Sequence, residues 1–77
     1  MKKVLCAVFD IKTGTYDSPF SVRHTNEALR EWELVCKDPS TKYGKHPEDF
    51  SLRQIGYLND ESGELVTGTS HLSQGAH

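Results

Sequence analysis

Between Lys2 and Phe9 the chain places Val4, Cys6 and Val8 on one side of an extended strand and Leu5, Ala7 and Phe9 on the other. Both faces are apolar, which predicts a central strand, or one covered on its second side by a partner, over a half-exposed edge strand. Lys12 to Gly14 in DIKTGTYDSP is the best turn site before a returning strand, since glycine and short polar residues accept turn geometry. That second strand begins near Thr15 and is interrupted at Ser18 and Pro19 before PFSVR. Proline cannot donate into a central ladder, so this is an edge candidate.

From Thr25 to Lys37 the period changes, with Ala28, Leu29, Trp32, Val35 and Cys36 recurring at steps of three and four. This is one face of a helix, with Glu27, Arg30, Glu31 and Glu33 outward,. Thr25 or Asn26 is the expected N-cap, Glu27 meets the positive end of the helix and Lys37 the negative end. DPSTKYGKHP then stops the helix, because Pro39, Gly44 and Pro47 cannot share one, leaving a loop with about one helical turn,. Asp38 is expected to accept backbone hydrogen bonds where the helix ends.

Phe50 to Leu58 is the third strand and Glu64 to Thr67 the fourth, joined by NDESG with Gly63 supplying positive φ,. Phe50 and Leu52 share a face while Ile55 and Tyr57 fall on the other, so a bulge near Arg53 or Gln54 would reconcile the two halves. The remainder, GTSHLSQGAH, carries one large apolar residue, Leu72, and reads as a flexible C-terminal tail over 68–77 after a compact domain over 1–67. The expected fold is α+β: a small antiparallel sheet of about four strands with one helix, in the order β-β-α-β-β.

One helix covers one face of such a sheet. The other would leave an apolar patch, assigned to Val4, Val8, Ile55 and Tyr57, and association of two chains would remove it. A homo-oligomer is therefore expected, with a dimer favoured; pairing of edge strands is a second route to it.

At 77 residues with 35% hydrophobic and 26% charged positions, the chain has a lean core and a composition above that of disordered segments,. Nine Lys and Arg against 11 Asp and Glu give a formal charge of −2, opposite to the footprint of a nucleic-acid condenser. Any nucleic-acid contact is thereby confined to local patches. The six-residue apolar run VLCAVF stops at Asp10, short of a signal-peptide core or a membrane span. A cytosolic compartment and no membrane association are expected, with Cys6 and Cys36 as two buried thiols.

His24, His46, His71 and His77 pair neither with Cys nor with one another at metal-site spacing,, so no metal and no cofactor is expected. Gly44, Lys45 and His46 resemble a phosphate-loop ending only in part: Pro39 stands where the first glycine is required and His46 where a hydroxyl is,. No catalytic set emerges, and the chain reads as a non-enzyme. What remains is a cluster of Lys37, Lys42, Lys45 and His46 around Tyr43. Cations that meet phosphates beside an aromatic that stacks on bases are the means of binding single-stranded nucleic acid. Trp32 is the expected core anchor of the helix.

The succession KKVLCAVFD, NEALREW, KDPSTKYGKHPEDFSLRQIG and NDESGEL resembles the small nonstructural proteins of gokushovirus-type phages, within the microvirus group of single-stranded DNA phages. The resemblance spans Met1 to Val66 and is most specific from Asp38 to Phe50, in DPST and GKHPEDF. It implies a nonstructural, DNA-binding protein that assists genome synthesis or packaging in the cytoplasm of the bacterial host cell, and it supplies no catalytic or binding residue. Together these observations lead to the expectation of a noncatalytic accessory that binds single-stranded DNA weakly. The alternative is a protein-protein adaptor or assembly factor that engages a phage or host protein without touching DNA.

Overall fold

The doubly apolar first segment takes the central place in the sheet. In the computed structural model, which describes residues 2–75, β1 (Lys2–Asp10) pairs along its whole length with β4 (Phe50–Asn59). Its opposite edge is shared by two short strands, β2 (Thr15–Tyr16) and β3 (Phe20–Val22). β5 (Leu65–Gln74) closes the far side, so the order is β2–β1–β4–β5 with β3 beside β2, antiparallel throughout. The interrupted returning strand is thus one edge broken around Pro19, as its missing N–H requires. One α+β architecture results: a sheet with α1 (Thr25–Lys37) on one face, and a short α2 (Lys42–Lys45) and a 3-10 turn (Pro47–Asp49) leading into β4.

Local chemistry fixes each connection. Asp10 Oδ1 accepts from the Lys12 and Thr13 amides at 3.0 and 3.3 Å, and Gly14 takes φ 70°. Asn59 does the same for Glu61 and Ser62 before Gly63 at φ 77°. These are side-chain-braced turns with glycine at the left-handed position. The helix begins one residue earlier than its expected caps. His24 has extended backbone, and its Nδ1 accepts from Asn26 N at 3.1 Å, while Thr25 already lies within the helix. Asp38 Oδ1 accepts from Ser40 N at 2.9 Å as α1 ends.

Ala28, Trp32 and Cys36 pack α1 against Val4, Cys6, Val8, Val22, Phe50 and Leu52, which form the core. Cys6 and Cys36 are buried and not joined in a disulfide, and burial pushes the Cys6 thiol above its ordinary pKa,. The bulge falls beside its expected place. Cys6 faces Gln54 and Leu5 faces Gly56, leaving Ile55 as the extra residue of β4.

Two expectations are corrected. Val4 and Val8, each 7% exposed, lie beneath α1 and not on the uncovered face. Ile55 is the bulge residue, and Tyr57 is paired with Val4, on the helix side. The parity of β1 was right, but with both of its faces apolar nothing local decided which one the helix would choose. The face left open carries Leu5, Phe9, Leu58 and Leu65 instead, since directly paired residues share a side of the sheet,.

The second correction concerns 68–77, expected as a tail beyond Thr67. β5 continues to Gln74, whose Nε2 donates to the carbonyls of Glu48 and Phe50 at 3.0 and 2.9 Å. Gly75 N also donates to Phe50 O at 2.9 Å. The open edge of a ten-residue β4 supplies backbone partners that hydrophobic content alone does not reveal. Positions 76 and 77 lie outside the described residues.

Candidate nucleic-acid interface

The loop cluster is largely committed to the fold. Tyr43 sits edge-on to Trp32 and Phe50, with ring centroids 5.4 and 4.9 Å away. Its hydroxyl donates to Asp17 Oδ2 at 2.5 Å. Burial and that carboxylate push the phenol well above its ordinary pKa, while the Tyr43 hydroxyl, with help from Lys42, holds Asp17 below the usual carboxylate value,. These contacts tie a half-buried ring into the fold. Lys42 pairs with Asp17 at 3.1 Å, and Lys37 with Glu33 at 2.9 Å. Lys45 and His46 remain exposed, with His46 Nδ1 4.0 Å from Glu48.

The reason lies in the packing of α2. Thr41 Oγ1 accepts from Gly44 N at 3.0 Å and lies 2.9 Å from the Asp38 carbonyl to which it donates. A Cβ on Gly44 would collide with that same carbonyl. The phosphate-loop-like Gly44–Lys45 pair is therefore a close-packing device that turns Tyr43 inward. His46, Glu48 and Asp49 bring one donor atom each within 4.8 Å of one another. His46 and Glu48 are exposed, and nothing further points to a cation there.

The uncovered sheet face gathers different residues. Across it run the rows Tyr16–Phe9–Ser51–Gln74, then Ala7–Arg53–His71, then Ser21–Leu5–Gly56–Thr67, and last Lys3–Leu58–Leu65. Phe9 and Tyr16 lie 4.8 Å apart between centroids. The Arg53 guanidinium stands 4.3 Å from the Phe9 centroid and donates to Tyr16 Oη at 3.3 Å, while its Nε donates to Ser51 Oγ at 3.3 Å. A cation laid on an aromatic pair is held flat without losing its charge. These rows include Lys3, Arg53 and His71 but no carboxylate, in a chain whose net charge is −2. Sequence reading missed this set because Phe9, Tyr16 and Arg53 are distant in sequence and meet only through the pairing of β1 with β2 and β4. The adjacent alternation of Leu5, Ala7 and Phe9 was the available signal.

A family model described as phage ORF5 protein matches residues 3–76. The chain belongs to the phage ORF5 protein family. No curated protein and no solved structure matches it. The ORF5 match extends through β5, beyond the Val66 limit of the resemblance drawn from sequence motifs, so the family pattern includes the strand that closes the sheet. Among the described residues of this ORF5 chain, no helix is long and apolar enough to cross a membrane.

Proposed function

We propose that this phage ORF5 chain is a noncatalytic accessory of a gokushovirus-type, single-stranded DNA microvirus, acting in genome replication or packaging in the bacterial cytoplasm. It binds single-stranded DNA weakly through the uncovered sheet face. The carrying observation is the Phe9–Tyr16–Arg53 stack, with His71 paired to Arg53 and Lys3 at the far end of the face, in rows that hold no carboxylate. Aromatic rings accept bases regardless of sequence, while cations track the backbone, and each stacked base contributes about 1–3 kcal/mol. In this reading the contact lies on the sheet, with Lys37, Lys42, Tyr43, Lys45 and His46 outside its centre.

Fluorescence anisotropy with a labelled oligothymidylate at low and physiological salt tests the reading. Binding should weaken with salt and fall about tenfold in Tyr16→Ala and in Arg53→Gln, whereas Lys42→Ala with Lys45→Ala leaves it unchanged. Absence of binding at low salt overturns it. A second copy is the partner proposed for the edge of β5, where Leu65 and Val66 are 58% and 52% exposed. That strand carries no Lys or Pro to block pairing,. Light scattering that returns one-chain mass over a concentration series would remove the oligomer.

A further inference from the structure

β5 is the end strand of the sheet, and among the described residues its outer edge meets no other strand. Its first residues are open on both faces as well. The row Val22–Val4–Tyr57–Val66 runs under α1 at its first two positions, but Tyr57 and Val66 lie beyond the helix and are 39% and 52% exposed. Leu65 is 58% exposed on the opposite face, beside Leu58. Both irregularities of the β4–β5 ladder fall after Thr67, so 65–67 is the regular stretch of an edge that bulges distort farther on. The hairpin turn fixes which backbone groups face outward. Asn59 N donates to Glu64 O at 2.9 Å, so the Glu64 carbonyl points toward β4. Alternation along the strand then turns the N–H and C=O of Val66 toward β4, and those of Leu65 and Thr67 toward the open edge.

Resting on the second-copy reading of the β5 edge, we infer that two chains pair β5 to β5 in antiparallel register about Val66, into one continuous sheet. Leu65 then stands opposite the partner's Thr67, and each such pair exchanges both of its outward hydrogen bonds. Val66 meets the partner's Val66 on the two-fold axis, in the non-hydrogen-bonded pair whose side chains approach most closely. Glu64, the nearest charge, falls opposite the partner's Gly68 and not opposite its own copy. The axis stands perpendicular to the sheet. Tyr57, Val66 and their copies therefore form one apolar row on the helix side, and the two Phe9–Tyr16–Arg53 stacks face the same way on the other. The contact is short, so the dimer should be weak and concentration-dependent.

Single cysteines read the register. Val66→Cys places its sulfur in a pair with Cα atoms about 4.5 Å apart, within disulfide reach. Leu65→Cys and Thr67→Cys stand off the axis, about 8 Å from their own copies and beyond that reach. Under mild air oxidation of the intact chain, Val66→Cys should give about tenfold more covalent dimer on non-reducing gels than either control. Leu65 is as exposed as Val66, so random collision would give equal yields, and Cys6 and Cys36 are buried. Light scattering of the wild-type chain over a concentration series should rise from one-chain toward two-chain mass. Val66→Lys sets two ammonium groups side by side on the axis and should weaken dimerisation about tenfold, while Leu34→Lys, on the exposed side of α1, leaves it within about twofold,. Two-chain mass without an excess of cross-linking in Val66→Cys, or with Val66→Lys as dimeric as the wild type, overturns the Val66 register and leaves the second-copy reading standing. One-chain mass throughout overturns both.

Discussion

Replacing Asp17 by Asn isolates the interaction that ties the 37–46 loop to the edge of the sheet. The bond from Tyr43 Oη to Asp17 is charge-assisted and short, at 2.5 Å, and spans 26 positions of sequence. Hydrogen bonds to charged groups contribute about 1.5–3 kcal/mol. The Asp17 side chain is 36% exposed and its Lys42 partner 57%, so solvent screening reduces the expectation to about 1 kcal/mol. For a domain of this size that is a fall in Tm of about 4–8 °C. A double-mutant cycle of Asp17→Asn with Tyr43→Phe, measured by urea unfolding at pH 7, should return a coupling of about 1 kcal/mol.

The same pair sets the pH window of stability. Asp17 holds its proton less tightly in the folded chain than in the unfolded one. Its contribution is therefore complete above the unfolded carboxylate value of about 3.9 and is lost as pH falls through the lower folded value. Tyr43 holds its proton more tightly when folded, so its contribution is complete below about pH 10 and is lost as pH rises through the raised folded value. Asp17→Asn should flatten the acid side of the profile, and Tyr43→Phe the alkaline side. A coupling within error of zero, or an acid limb unchanged by Asp17→Asn, would refute the assignment of this bond as the clamp of the loop.

Two further outcomes follow from backbone geometry. Gly44→Ala drives a Cβ into the Asp38 carbonyl, and the resulting shift of α2 should destabilise by about 2–4 kcal/mol in urea titration. Gly63→Ala meets open space but keeps φ 77°, so only its backbone strain counts and the cost should be about 1 kcal/mol. Reversal of that order would contradict the packing reading of Gly44. Truncation after Thr67 removes the part of β5 paired with Ser51, Leu52, Arg53 and Gln54, along with the Gln74 contacts. A large loss of cooperative unfolding is expected by circular dichroism, and a truncated chain as stable as the full one would restore the tail reading.

What the sequence made legible was periodicity. α1 showed itself through the spacing of Ala28, Trp32 and Cys36, and the edge strand through Pro19. β5 past Thr67 did not, because Gly68, Thr69, Ser70, His71 and Ser73 carry no strong alternation; their order comes from the hydrogen-bonding needs of β4, which are tertiary,. The partners of the candidate loop were hidden for a related reason. Lys42, Tyr43 and Lys45 look like a binding patch only while Asp17 is thought of as distant; once the sheet edge brings Asp17 beside them, the cation and the hydroxyl are both consumed.

The net charge of −2 argued for DNA contact confined to the loop, yet the fold segregates that charge by layer. Glu27, Glu31 and Glu33 project outward from α1, while the paired rows of the uncovered face include Lys3 and Arg53 and no acid, with Asp60 near Lys3 at their end. At physiological salt, charges separated by more than about 8 Å are largely screened, so a strand of DNA on the sheet would sense that face more than the chain's sum. The magnitude can be checked. Two permanent cations neutralising two phosphates of a single strand give a slope of log K against log salt of about −1.4. A slope steeper than about −3 would require cations from beyond the face, Lys42 and Lys45 foremost, and would return the contact to the loop. A slope near zero would leave stacking on Phe9 and Tyr16 without the Arg53 and Lys3 contribution, and would remove the electrostatic half of the proposed interface.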